Sequence, residues 1–156
     1  MEDCLSVLKR FRVPFEVNVM SAHRTPAAVH DYVTQARARG LRALICAAGG
    51  AAHLAGVVAS LTTLPVIGVP MDATGMGGLD ALLSTAQMPP GIPVGTVGVG
   101  RFGATNSALL AIQILAVSDA ALASELQQYR ASMADGVAQK NARAAKRLKE
   151  KGLIEE

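Results

Sequence analysis

The sequence predicts an α/β domain in which helices cover both faces of a parallel sheet. Three short stretches are almost wholly apolar, and segments with helical spacing separate them: "LRALICAA", "LPVIGVP" and "VGTVGV". Continuous apolar strands are typical of parallel sheets buried on both faces, because the connecting helices pack on either side. The length of 156 residues suits one such domain with a substantial core.

The first forty residues predict a helix, a strand and a second helix. Residues 4–11 have apolar side chains at helical spacing, and "PFEVNVM" (residues 14–20) alternates like a strand. Thr25 is then a candidate N-cap and Pro26 a first-turn proline for a helix that ends at Gly40.

The remaining elements continue the alternation of strand and helix. In chain order, the pattern predicts a strand at 41–48, a helix at 49–61, a strand at 64–70, a helix at 78–88, a strand at 94–99 and a helix at 104–117. This last helix is apolar almost all round, which predicts that a partner subunit covers it in a homo-oligomer.

The character of the chain changes after Ser118, where two polar helices are predicted, "DAALASELQQYRASM" and "NARAAKRLKEKG". We therefore expect an α/β catalytic domain over residues 1–118. Residues 119–156 should form a helical extension that packs on this domain or on a neighbouring subunit.

Composition and charge argue against several classes of partner. The net charge is +3, but Arg101 is the only basic residue between Arg42 and Arg130, and the other cations mix with acids as on solvated helix faces. We therefore expect no nucleic-acid partner. No apolar stretch is long enough to span a membrane, no signal peptide is expected, and Cys4 and Cys46 lack disulfide or metal spacing. A reduced, cytoplasmic setting is the expectation.

Two histidines lie where a ligand is expected to bind. In open α/β sheets, ligands occupy the crevice at the carboxyl ends of the strands, and His23 and His53 both follow predicted strands near helix N-termini. Arg24 offers a positive charge for an anion, and Gly49 and Gly50 allow a ligand to approach the backbone. Imidazole exchanges protons near neutral pH, so the pattern favours acid–base chemistry at this edge over the alternative of ordinary loop histidines that are solvated or locally hydrogen-bonded.

Other motifs are assigned structural roles. Residues 98–103, "GVGRFG", fit G-x-G-x-x-G, but a dinucleotide site also needs a second strand that carries an acid about 20 residues further on. The nearest acid, Asp119, follows a helix, so these glycines are expected to form a tight turn. His30 lies within a helix and is expected to be packed or solvated. Asp72 and Asp80 lack the spacing of a metal site, and neither a metal nor a cofactor is expected.

Between Pro14 and Tyr129 the chain carries, in this order, "SAHRTP", "AAGGAAHLAG", "LPVIGVP" and "QMPPGIPVGTVGVG". This series resembles the PurE family of purine biosynthesis. The resemblance implies a flavodoxin-like three-layer αβα sandwich, a homo-octamer, and a substrate related to 5-aminoimidazole ribonucleotide. "SAHR" and "GGAAHL" resemble the branch that converts N5-carboxyaminoimidazole ribonucleotide (N5-CAIR) to its 4-carboxy isomer, rather than the branch that carboxylates aminoimidazole ribonucleotide directly.

The resemblance also implies roles for individual residues. His23 would be the general acid/base, releasing carbon dioxide from the substrate by protonation and later removing the C4 proton. The implied substrate-binding residues are Ser21, Ala22, Arg24, Ala48, Gly49, Gly50, Ala51 and His53. Carbon dioxide would remain bound as an intermediate, and no cofactor would be needed.

The chain departs from the family pattern at its beginning. The family starts with a strand and a Gly-Ser-x-Ser-Asp loop that binds phosphate and ribose, and this chain starts after that loop. In a 2-1-3-4-5 sheet, the strand predicted at residues 14–20 would lose its inner neighbour and leave a row of unpaired buried amides. We therefore expect a longer native protein, and poor folding or weak substrate binding for the 156 residues taken literally. Ala55 and "MDATGMGG" are smaller departures.

Two alternatives remain to the mutase, the enzyme that converts N5-CAIR to its 4-carboxy isomer. One is a catalytically silent ligand-binding or assembly subunit of the same fold, and the other is a direct aminoimidazole ribonucleotide carboxylase. Replacing His23 by Asn separates the enzyme from the silent subunit, since only the enzyme would lose turnover.

Overall fold

The computed structural model describes residues 1–155, which form two compact units, one ending at Leu115 and one starting at Ala116. The strands are β1 (Leu44–Gly49), β2 (Val66–Met71) and β3 (Gly95–Thr96). The helices are α1 (Glu2–Arg10), α2 (Pro26–Ala36), α3 (Leu54–Ser60), α4 (Leu79–Ala86), α5 (Gly100–Ala116) and α6 (Ala120–Glu150).

The three strands form a parallel sheet in the order β1-β2-β3. Pairing of β1 with β2 runs from Leu44 opposite Val66 to Gly49 opposite Met71, so the carboxyl ends of these two strands are level. The predicted fold class, a parallel sheet flanked by helices, is confirmed.

Residues of β2 show that both faces of the sheet are covered. A methyl group added at Gly68 would lie 2.2 Å from Thr85 of α4 and 3.3 Å from Ala55 of α3. The next residue, Val69, points to the opposite face and contacts the position of Gly103 in α5 at 3.4 Å. Helices α3 and α4 therefore cover one face of the sheet and α5 covers the other.

A continuous apolar cluster joins α2 and α3 to the strands. Its buried members are Val29, Val33, Ala36, Leu44, Cys46, Ala55, Val58, Ala59, Leu64 and Val66. Burial raises the pKa of the Cys46 thiol to about 12, so this cysteine is an uncharged part of the core. On the other face, α1 packs on α5 where Ser107 Oγ lies 3.6 Å from Cys4 Sγ.

The strand predicted at residues 14–20 is wrong. These residues pair with no strand in the described chain, and the apolar side chains that suggested alternation are exposed, with Phe15 at 46%, Val17 at 61% and Val19 at 99%. Alternation is a local pattern, whereas a strand also needs a neighbouring strand to which its backbone can hydrogen-bond. Because Pro14 to Val19 are exposed, the predicted row of buried unpaired amides does not form.

Side-chain contacts hold this extended segment against α2 instead. The Glu16 carboxylate accepts a hydrogen bond of 2.6 Å from the Tyr32 hydroxyl and forms an ion pair with Arg39. The guanidinium of Arg39 also lies 5.0 Å from the centre of the Tyr32 ring. At the end of the segment, Met20 packs on the apolar cluster.

Three other elements differ from the predicted bounds. Strand β3 has two residues, and α5 begins at Gly100 instead of Ala104. A methyl group at Gly103 would lie 1.6 Å from the carbonyl oxygen of Gly98, so the glycine motif forms a tight turn that leads directly into α5. The two polar helices predicted after Ser118 are one continuous helix, α6.

The contacts of Glu16 predict a pH-dependent contribution to stability. The Tyr32 hydroxyl and then Arg39 lower the pKa of the Glu16 carboxyl from its ordinary 4.5. The contribution is therefore complete above pH 4.5 and is lost as the pH falls through the lower folded pKa. In urea unfolding, Glu16→Gln should be less stable than the wild type at pH 7, and the difference should shrink in acid.

The same measurement on Tyr32→Phe should reproduce most of the effect, because the Tyr32 hydroxyl is the largest cause of the lowered pKa. A difference between wild type and Glu16→Gln that does not change between pH 7 and pH 3 would contradict this account.

Candidate active site

The loop that carries His23 is closed by hydrogen bonds between its two ends. The Ser21 amide donates to Thr25 Oγ1 at 2.8 Å, and the Thr25 amide donates to the Ser21 carbonyl at 2.9 Å. The Arg24 amide donates to Ser21 Oγ at 3.2 Å. Thr25 stands at the predicted N-cap of α2, but its hydroxyl bonds to Ser21 and not to an amide of the helix. The side chains of His23 and Arg24 are exposed on this fixed turn.

The second part of the site is the turn between β1 and α3. Gly50 has a φ of +63°, which glycine adopts without strain, and His53 is the N-cap residue of α3. The predicted residues Ala48, Gly49 and Gly50 are half-buried, whereas Ala51 and His53 are exposed. Backbone groups of this turn are therefore open to a ligand.

The structure brings the two predicted histidines into direct contact. His23 Nε2 lies 2.8 Å from His53 Nδ1, and the rings meet edge to face at 88° with centroids 4.9 Å apart. A hydrogen bond at this distance needs one N–H donor and one nitrogen lone pair. Two imidazolium rings would present two donors to each other, so the contact needs a bare nitrogen on at least one of the rings.

The other sequence candidates lie outside this contact. Ser21 and Ala22 are half-buried in the same loop, and the guanidinium of Arg24 forms no ion pair with any residue from 1 to 155. His30 is exposed on α2 with Nδ1 3.2 Å from the carboxylate of its neighbour Asp31. It is therefore solvated and separate from the histidine pair.

Sequence analysis noted the loop that follows β2, "MDATGMGG", as a departure from the family pattern and assigned none of its residues to the site. A methyl group at Gly49 would lie 2.5 Å from Ala73 Cβ and 3.1 Å from the Met71 carbonyl oxygen, and one at Gly50 would lie 3.8 Å from Thr74 Cγ2. Residues 73 and 74 therefore border the glycine turn. The position of this loop could have identified it from the sequence, because it follows the carboxyl end of β2, the strand that pairs with β1.

A cavity of about 400 Å³ lies beside the ends of α1, α5 and β2. Its lining residues are Met1, Glu2, Asp3, Met71, Gly100, Arg101 and Ala104. The Arg101 guanidinium donates to the Asp3 carboxylate at 2.8 Å, so the arginine of the lining is paired within the cavity.

Neither metal ligation nor membrane insertion is indicated in the part of the chain that the structure describes. Residues 1–155 contain no group of three His, Cys, Asp or Glu side chains placed to hold a metal ion. Within the same residues, no helix is both long and apolar enough to cross a bilayer.

The fold and the histidine pair define a parallel α/β protein with two contacting imidazole rings beside the glycine turn at the carboxyl end of β1. A family model described as AIR carboxylase matches residues 1–136. The chain belongs to this AIR carboxylase family, as the resemblance of its motifs predicted.

Curated relatives are about half identical to this chain over the aligned residues. The N5-carboxyaminoimidazole ribonucleotide mutase of Pyrococcus abyssi is 50% identical over 133 residues, which cover 85% of this chain and 75% of that protein. The mutase of Pyrococcus horikoshii is 46% identical over 152 residues, which cover 97% of this chain and 82% of that protein. The crystal structure of Treponema denticola PurE superposes with a TM-score of 0.82 at 26% identity, covering 91% of this chain and 87% of that chain. The flavodoxin-like fold is thus confirmed.

The close approach at Gly49 predicts the effect of a single added methyl group. Gly49→Ala should lower the free energy of unfolding by about 1–3 kcal/mol, the usual cost of overpacking, because Ala73 must move. Gly75→Ala is the matched control, since a methyl group there meets nothing within 4 Å. Urea unfolding of the two variants and the wild type measures the difference; equal stability of Gly49→Ala and the wild type would contradict the packing described here.

Proposed function

We propose that the chain is an enzyme of purine biosynthesis that converts N5-CAIR to 4-carboxy-5-aminoimidazole ribonucleotide. The observation that carries this proposal is the contact between His23 and His53 beside the Gly49–Gly50 turn. A carboxyl migration needs one group that gives a proton and later takes one back, and imidazole does both at neutral pH. Family membership and the names of the relatives support the same reaction.

In the proposed mechanism His23 acts twice. The protonated imidazole gives its proton to N5 of the substrate, the bond from N5 to the carboxyl carbon breaks, and carbon dioxide and aminoimidazole ribonucleotide are left in the site. C4 then attacks carbon dioxide, and the neutral imidazole removes the C4 proton. His23 ends in its starting protonation state, so the isomerisation is balanced without a cofactor or a metal. Holding carbon dioxide beside C4 would supply the required proximity.

His53 fixes which nitrogen of His23 exchanges the proton. If His23 Nε2–H donates to His53 Nδ1 across the 2.8 Å contact, the unprotonated nitrogen of neutral His23 is Nδ1. His23 Nδ1 then serves as base when bare and as acid when protonated, and the bond to His53 persists in both states. In this arrangement His53 positions the reacting ring.

The remaining predicted residues surround the histidine pair as substrate contacts. Arg24, exposed beside His23, is suited to the phosphate of the ribonucleotide. Ser21 and Ala22 lie in the same turn and would contact the substrate. The backbone of residues 48–51 would approach the imidazole and its carboxylate at Gly50, where no side chain of the turn intervenes, whereas Ala73 fills the space beside Gly49.

We further propose that the protein acts in the cytoplasm as a homo-oligomer, with the octamer implied by the family resemblance. Exposed apolar side chains on two helices support assembly: Leu79 at 51% and Leu83 at 49% on α4, and Phe102 at 82% on α5. Water contact with such a surface is unfavourable, and a second copy of the chain would remove it.

The proposed role of His23 predicts a selective loss of activity. His23→Asn should lower turnover of N5-CAIR by at least about 100-fold, the usual contribution of a positioned acid/base, with little change in Tm. His30→Asn is the matched control, because His30 is an exposed histidine outside the site, and it should retain wild-type turnover.

Two further outcomes would contradict the mutase, and one would contradict only the role of His23. Wild-type turnover by His23→Asn would remove His23 from the chemistry and leave the mutase reaction standing. A folded wild type without any turnover would identify the silent subunit. A wild type that consumes aminoimidazole ribonucleotide and carbon dioxide but not N5-CAIR would identify the direct carboxylase.

The proposed role of His53 predicts a smaller defect. His53→Phe keeps a ring of similar size but removes the nitrogen that faces His23, so kcat should fall about 10- to 100-fold, less than in His23→Asn. An unchanged kcat would show that the histidine contact has no part in turnover.

A further inference from the structure

Asp80, in the first turn of α4, has an unusual environment. Its Oδ2 accepts a hydrogen bond of 2.8 Å from Thr74 Oγ1. Its Oδ1 is buried and has no hydrogen-bond partner among residues 1–155. A buried polar atom without a partner is unfavourable and rare, which indicates that the position serves a purpose beyond stability.

The loop that Asp80 binds, residues 72–78, is held by contacts at its base and near its tip. At its base, a methyl group on Gly78 would lie 3.4 Å from the backbone of Asp72 and 2.4 Å from Val99, and Gly78 itself has a φ of +79°. Nearer its tip, Thr74 Oγ1 accepts a hydrogen bond of 3.2 Å from the Met76 amide while donating to Asp80. The Thr74 hydroxyl thus links the loop to α4.

The same loop borders the candidate active site. Ala73 packs so closely on Gly49 that no side chain fits between them, and a methyl group added at Gly50 would lie 3.8 Å from Thr74 Cγ2. Thr74 therefore borders the glycine turn of the site, and its hydroxyl is bonded to Asp80.

We propose that Asp80 is a positioning residue for the substrate site, acting through Thr74 to hold residues 72–76 against the Gly49–Gly50 turn. This inference rests on the proposed function for its substrate. The carboxylate suits the task because a charged acceptor makes a stronger hydrogen bond with a hydroxyl than a neutral one does, and the first turn of a helix stabilises negative charge.

The experiment compares substitutions that separate the hydroxyl of Thr74 from its methyl group. Thr74→Val removes the hydroxyl and keeps the shape, and Asp80→Ala removes the acceptor. Both should raise KM for N5-CAIR about 10- to 100-fold, the scale expected when a wall of the site is misplaced. Thr74→Ser restores the hydroxyl and should return KM to within a few-fold of the wild type. The pH profile of kcat should be unchanged in all three, because the histidine pair is untouched.

Thr62→Val is the matched control outside the site. Thr62 Oγ1 accepts a hydrogen bond of 3.1 Å from the Leu64 amide, two residues further on, as Thr74 Oγ1 does from the Met76 amide. Thr62, however, lies before the amino end of β2, away from the candidate site. This variant loses a comparable hydrogen bond and should keep the wild-type KM.

Amide hydrogen exchange gives a second readout that needs no turnover. Thr74→Val and Asp80→Ala should both speed exchange across residues 73–76, and Thr74→Ser should not. If the wild type is inactive but this exchange pattern appears, the proposed function fails while the loop contact stands. Unchanged KM in Thr74→Val and Asp80→Ala, in an active wild-type background, would overturn the positioning role, as would an equal KM increase in Thr62→Val.

Discussion

The hydrogen bond between His23 and His53 is the contact on which the site depends, because it joins two segments that are thirty residues apart. Neither segment holds its histidine alone. The loop before α2 is placed by Val29 and Val33, which lie in the same apolar cluster as Val58 of α3. The packing of α2 and α3 on the sheet therefore determines the distance between the two rings, and a defect in that core would separate them.

The proposed chemistry relies on this contact. The proposed mechanism needs one group that acts first as an acid and then as a base, and a bond from His23 Nε2 to His53 would leave His23 Nδ1 free for both steps. The surroundings add shape more than charge, since Gly49 and Gly50 contribute backbone and Ala73 packs against Gly49. Thr74 borders the same turn and is bonded to Asp80, so the loop after β2 lies beside the loop after β1.

The sequence predicted features that depend on local pattern. Buried parallel strands are recognisable because each is apolar throughout, and the end of β1 directs attention to His53. The strand at residues 14–20 was wrong because alternation does not reveal whether a neighbouring strand exists, and His23 follows a segment that forms no strand. Thr74 was missed because a non-repeating loop has no periodicity, and Asp80 was considered only as a metal ligand because its contact with Thr74 is set by tertiary structure.

Nitrogen-15 NMR of the imidazole rings tests the central contact most directly. At neutral pH, the account predicts a scalar coupling across the hydrogen bond between His23 Nε2 and His53 Nδ1, with the proton on His23 Nε2 protected from exchange. His30, which is exposed on α2, provides the reference for a solvated ring in the same spectrum. If all three histidines instead show the averaged shifts of solvated imidazole and no coupling, the histidine contact is absent in solution, and the mechanism built on it is wrong.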